Sequence, residues 1–214
     1  MEKIAVIGTS CLFPGAKTSG QYWQNLLDGK NFKTAATRQQ MGVDPADYFS
    51  AQPGVADRYY CMQGGYIRNF EFDSAGYHLP AAYLEQLDDL FKWSLYVSKD
   101  ALTDSGYLEK NEKLYRCGVI LGNLSFPTKS SNHLCVPICH EAVEASMRKY
   151  PANDGFRLAP FTPPLTVSDD NLMISGYPSA VIARALSLCG PYFCMDAACA
   201  SSIYAVKQIG RAHV

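Results

Sequence analysis

The chain has 214 residues, 48% of them hydrophobic and 18% charged, with a formal net charge of −1, enough for one hydrophobic core and part of another. No basic stripe or Lys/Arg run is present to neutralise phosphates, which excludes a nucleic-acid binder, and no apolar stretch is long enough to span a bilayer. The apolar run after Met1-Glu2-Lys3 ends at Gly8, too short for a signal peptide, so a cytoplasmic protein is the default. Eight cysteines (Cys11, Cys61, Cys117, Cys135, Cys139, Cys189, Cys194 and Cys199) lie scattered without short-period spacing. Several fall inside apolar runs, where the residue behaves as a small hydrophobe, so reduced thiols are expected rather than a disulfide framework.

In chain order, Lys3–Ile7 reads as a short buried strand stopped by Gly8. A loop with Pro14 and Gly15 follows, then a helix over Gly20–Leu27, capped by Thr18 or Ser19 and closed by Asp28-Gly29. Periodicity is lost from Lys33 to Asp57. Tyr59–Cys61 and Tyr66–Phe72 flank Gly64-Gly65 as a hairpin. The clearest helix spans about Pro80 to Asp104, with Leu84, Leu87, Phe91, Leu95 and Leu102 on one face. Gly118–Leu121 reads as a second buried strand. Part of Cys139–Tyr150 reads as a helix, and a Pro-rich loop through Pro151, Pro160, Pro163 and Pro164 follows it. Asn171–Leu186 is helical in pattern, with Pro178 against continuity. A short apolar run at Tyr192–Met195 precedes a helix opening near Ile203–Lys207. Strands and helices alternate, which predicts an α/β fold with helices layered on a sheet.

Gly190–Ser202 carries the chemistry. A turn, a short strand, small residues, a cysteine and small polar residues opening a helix together make a strand–turn–helix elbow. A helix N-terminus favours thiolate over thiol, and its N–H groups can hold a developing oxyanion. Ala197, Ala198 and Ala200 leave the Cys199 sulfur accessible, Ser201 and Ser202 open the helix, and Asp196 anchors the elbow by hydrogen bonds. On the residues alone, a structural cysteine beside a tight turn fits as well as an activated thiol.

The wording of the motif, Gly190-Pro191, Asp196, Ala198-Cys199 and Ser201-Ser202, resembles the active-site signature of β-ketoacyl synthases. Ile4-Ala5-Val6-Ile7-Gly8-Thr9-Ser10-Cys11-Leu12-Phe13-Pro14-Gly15-Ala16 resembles the first strand and loop of the polyketide-type members. Asp57–Cys61, Gly64–Ile67, Leu87–Asp89 and Gly122–Thr128 look most like the ketosynthase of polyunsaturated-fatty-acid synthases.

The resemblance implies a thiolase-like layered α/β/α fold, of which residues 1–207 supply the N-terminal half. It also implies a decarboxylative Claisen condensation, in which Cys199 accepts an acyl group as a thioester and its own backbone N–H contributes to the oxyanion hole. Asp196, Ala198 and Ser201 would support the elbow. No cofactor is bound directly; substrates ride on the phosphopantetheine arm of an acyl carrier protein, the implied partner. The intact domain is expected as a homodimer or paired with a chain-length factor.

Two histidines and a lysine complete such a site downstream of the cysteine. His213 is too close to serve, and His78, His133 and His140 precede the nucleophile, so the chain alone is expected to be inactive. Residues 208–214 read as the translation of a sequencing adapter, a non-native tail to be set apart from the fold.

Three further patterns carry competing readings. His133, Cys135, Cys139 and His140 resemble a zinc cluster, but the spacing is not standard and Pro137 should interrupt the helix, so no metal is expected. Gly15-Ala16-Lys17-Thr18 is a near miss for a phosphate loop and reads as a surface loop. Tyr59, Tyr60, Tyr66, Phe70 and Phe72 read as core or dimer-interface packing. Against the ketosynthase reading stand a chain-length-factor-like or inactive partner, and a cysteine hydrolase with its base downstream. The half-fold is expected to leave open sheet edges and apolar surface and to aggregate alone.

Overall fold

The structure, a computed structural model, describes residues 4–41, 44–158 and 167–209. In chain order the regular elements are α1 (Ser19–Leu27), β1 (Lys33–Ala35), α2 (Arg38–Met41), β2 (Gln63–Gly65), α3 (Ala81–Glu85) and α4 (Asp89–Asp104). These are followed by α5 (Asn111–Leu114), β3 (Val119–Gly122), α6 (Lys129–Met147), α7 (Tyr177–Ala185), β4 (Tyr192–Met195) and α8 (Ser201–Ile209), with short 3₁₀ turns between. They form two compact units that interleave along the chain, with α4 contributing to both.

The unit that holds the elbow is built on a parallel pair, β3 and β4, in register from Val119 opposite Tyr192 to Gly122 opposite Met195. A parallel pair needs a long crossover, and residues 123–191 supply it. Helices α7 and α8 pack on this pair. The core is apolar and mostly aliphatic: Leu84, Leu87, Phe91, Leu95, Val181, Ile182 and Ala185 are all at most 2% exposed. Glycines let the backbone close up at both ends of β3. A Cβ on Gly118 would lie 2.4 Å from the Pro191 carbonyl oxygen, and one on Gly122 would lie 2.8 Å from backbone atoms of Ser201 and Ser202.

The expected single helix from Pro80 to Asp104 is two helices, and the break has a polar cause. Asn171 is fully buried; its Oδ1 accepts from the Asp88 N–H at 2.7 Å, and its Nδ2 donates to the Gln86 and Ser168 carbonyls. Asp88 in turn accepts from the Asp89 N–H and, through its other oxygen, from the Ser130 N–H. One carboxylate therefore satisfies orphan donors in the first turns of both α4 and α6. The Gln86 and Leu87 N–H groups still bond back to Tyr83 and Leu84, but the Asp88 N–H and the Gln86 carbonyl turn to Asn171, which apolar spacing does not reveal.

Helix α6 also departs from expectation. It begins at Lys129, ten residues before the expected Cys139, and runs through Pro137. A capping box between Thr128 and Ser131 and the bond to Asp88 fix its start. Pro178, by contrast, sits in the first turn of α7, where its missing N–H has no intrahelical use. The Pro-rich loop expected at Pro160, Pro163 and Pro164 lies outside the described residues, as do Lys3 and residues 210–214.

In the other unit, Thr18 caps α1 by accepting from the Gln21 N–H, and Gly29 takes the left-handed turn at φ 61°. The expected hairpin about Gly64-Gly65 does not form. Both glycines lie inside β2, which pairs antiparallel with β1. The opening apolar run is no strand among the described residues, and Val6 is 83% exposed. The chain is held just after it: a Cβ on Gly8 would lie 2.3 Å from the Ala101 carbonyl oxygen, and the Thr9 N–H donates to Asp104. Of the aromatics read as core or interface packing, three have distinct surroundings. Phe70 meets Tyr96 edge-on, Tyr59 packs near Phe49, and Tyr60 is 65% exposed. Among the described residues no helix is long and apolar enough to cross a membrane.

Candidate active site

The elbow begins where β4 stops. After Met195, Asp196 turns the chain and Ala197–Ala198 reverse it; Cys199 then lies in a 3₁₀ turn, Ala198–Ala200, that runs directly into α8. Ala198 has φ 49°, the left-handed region that an L-residue enters only at a cost. Alanine is the smallest side chain that still carries this penalty, and two hydrogen-bonding side chains hold it there.

Asp196 is the first. Its Oδ1 accepts from the Ala198 N–H at 3.0 Å and its Oδ2 from the Ser125 N–H at 2.9 Å. The Ser125 and Ala198 amides hold its carboxyl below the usual carboxylate range. A carboxylate so occupied is a clamp rather than a proton acceptor. Ser201 is the second. Its buried hydroxyl accepts from the Ala197 N–H at 2.9 Å and donates to the Ala198 carbonyl at 2.7 Å. Cys199 itself is exposed. The structure thus places a solvent-accessible thiol at the start of a helix, one residue after a strained turn held from both sides. The elbow brings Asp196, Ala198, Cys199 and Ser201 together.

Sequence reasoning missed the floor of this site. Gly122, the last residue of β3, and Asn123 and Ser125 beyond it meet the elbow through backbone approach and amide donation. The signals were a glycine at a strand end and the family resemblance of Gly122–Thr128, neither of which assigned these residues to the elbow. The His133–His140 cluster does not gather: no group of three or more His, Cys, Asp or Glu side chains fit to hold a metal ion exists among the described residues.

Comparison with known proteins decides the family. Residues 1–212 match the family described as beta-ketoacyl synthase, N-terminal domain. The chain belongs to the β-ketoacyl synthases. The solved PfaC keto synthase–chain length factor is 49% identical and superposes with a TM-score of 0.84 over 95% of this chain, which spans 22% of that one. One of the polyunsaturated fatty acid synthase polypeptides of Thraustochytrium sp. is 27% identical over 96% of this chain and 7% of its own length. Polyketide synthase ThaG of Burkholderia thailandensis is 32% identical over 56% of this chain and 2% of its own. The fold is accordingly the layered, thiolase-like ketosynthase fold, of which this chain is an N-terminal part. The ketosynthase from module 6 of the Bacillus subtilis bacillaene synthase shares that fold, with a TM-score of 0.64 at 24% identity.

Proposed function

We propose that this chain supplies the nucleophile half of a β-ketoacyl-[acyl carrier protein] synthase that works in polyunsaturated fatty acid or polyketide assembly. The observation that carries the reading is the exposed Cys199 at the start of α8, on a left-handed turn clamped by Asp196 and Ser201. The Cys199 thiolate attacks the carbonyl carbon of an acyl thioester and expels the phosphopantetheine thiolate of an acyl carrier protein. The Cys199 N–H and the first turn of α8 are suited to the oxyanion of that step. Malonyl-carrier protein then loses carbon dioxide, its carbanion attacks the acyl-Cys199 thioester, and the Cys199 thiolate leaves. The product is a 3-oxoacyl chain two carbons longer. Groups outside this chain would assist the decarboxylation, so the fragment alone is expected to be inactive.

The likeness to the PfaC protein, which carries a chain-length factor beside its keto synthase, favours one second reading, a silent partner that only shapes the cavity. The presence of the elbow thiol weighs against it. Incubating the complete synthase with an acyl thioester and mapping the adduct by mass spectrometry separates the two. Acylation at Cys199, lost in Cys199→Ala, supports the synthase; an unmodified Cys199 supports the silent partner.

A further inference from the structure

We infer that Asn123 is a positioning residue for the Cys199 elbow, an inference that rests on the reading of Cys199 as the nucleophile. Asn123 is the first residue after β3 and is 8% exposed. Its backbone N–H donates to the Met195 carbonyl at 3.0 Å, which extends the β3–β4 ladder to the residue before Asp196. Its side-chain Nδ2 donates to the Ile174 carbonyl at 2.6 Å. On the neighbouring strand, the Cys194 thiol donates to the Gly176 carbonyl at 3.4 Å. The segment 174–176 leading into α7 is therefore tied to the ends of both strands, and the stronger tie is Asn123.

What makes this a property of the site is the next step along the chain. Two residues beyond Asn123, the Ser125 N–H donates to the Asp196 carboxylate, as the Ala198 N–H does to its other oxygen. Asn123 thus fixes the anchor from which Asp196 is held, and Asp196 fixes the turn that aims Cys199. Loss of the Asn123 amide leaves the Ile174 carbonyl without that donor and frees the 123–128 loop to drift. The Ser125–Asp196 bond lengthens, and the sulfur loses its fixed direction while remaining accessible. Geometry of this kind acts on the rate of attack more than on binding, and misplacement by about 1 Å costs on the order of a hundredfold.

The test is single-turnover acylation of Cys199 in the complete synthase, with the maximal rate and half-saturating acyl-thioester concentration measured separately. Asn123→Ala and Asn123→Asp are expected to lower the maximal rate by roughly ten- to a hundredfold with half-saturation unchanged, and Asn123→Ser, which keeps a donor, to recover part of it. Asn171→Ala, whose hydrogen-bond partners are Asp88, Gln86 and Ser168 rather than elbow residues, serves as the stability control. It is expected to lower the thermal midpoint while leaving the acylation rate of folded protein intact. If Asn123→Ala does not fold, Asn123→Ser carries the comparison. A wild-type rate in whichever Asn123 variant is compared overturns the inference, as does a loss that merely tracks thermal midpoint in both the Asn123 and Asn171 series. No labelling of Cys199 in the wild type overturns the nucleophile reading itself.

Discussion

Replacing Gly122 by alanine tests how the elbow is held to the sheet. A Cβ at Gly122 would stand 2.8 Å from the Ser201 carbonyl carbon and oxygen and from the Ser202 nitrogen, where ordinary contact begins at 3.4 Å. These are backbone atoms of the first turn of α8, so no side chain can rotate away. The helix start must retreat by about half an ångström, and Cys199, two residues before Ser201, moves with it. Overpacking of this kind costs roughly 1–3 kcal/mol of stability. The displaced sulfur should also slow acylation about tenfold or more. Gly118→Ala is the internal comparison. Its Cβ would meet the Pro191 carbonyl oxygen at 2.4 Å, at the end of β3 away from the elbow. Both variants should lower the thermal midpoint of the complete synthase, but only Gly122→Ala should slow acylation of Cys199 per folded molecule. Equal acylation losses, or a Gly122→Ala protein with unchanged midpoint and unchanged rate, would refute the argument.

Three further outcomes follow from the same geometry. Ala198→Val should lower stability by about 1 kcal/mol or more, because a β-branched side chain is strongly disfavoured at φ 49°, whereas Ala198→Gly should not; thermal denaturation of the pair decides it. The Asp196 clamp should be pH-dependent in one direction. Its folded carboxyl lies below the ordinary value of about 4, so its stabilisation is complete above that value and is lost as pH falls through the lower folded one. The stability gap between wild type and Asp196→Asn, followed by denaturant titration, should close on acidification; a gap that widens there contradicts the clamp. Asn171→Ala strands the buried Asp88 N–H and removes one donor each from the Gln86 and Ser168 carbonyls. The expected cost is about 2–4 kcal/mol, read as a lowered denaturation midpoint.

What the sequence disclosed and what it hid divide along a physical line. Many interactions between near neighbours in the chain were legible: Thr18 capping α1, Gly29 closing it, and the elbow's order of strand, small residues, cysteine and helix, though not the Thr128–Ser131 capping box, which Pro137 obscured. Each is decided by backbone chemistry within a few residues. Contacts made by side chains distant in sequence were not. Apolar spacing ran straight through Gln86–Asp88, because the amide that takes the Asp88 N–H and the Gln86 carbonyl out of the helix belongs to Asn171. Gly64-Gly65 carried a turn signal as strong as a sequence offers, yet β1, some thirty residues upstream, claimed it as a strand. The site shows the same division. Cys199, Asp196, Ala198 and Ser201 are contiguous and readable, whereas Gly122, Asn123 and Ser125 reach the elbow only because β3 and β4 are parallel neighbours. A parallel pair brings the C-terminal ends of two strands side by side, and the residue just past one strand is then placed to brace the turn leaving the other. That makes the residues after β3, as much as the motif around Cys199, the ones whose substitution should separate a well-aimed thiol from a merely exposed one.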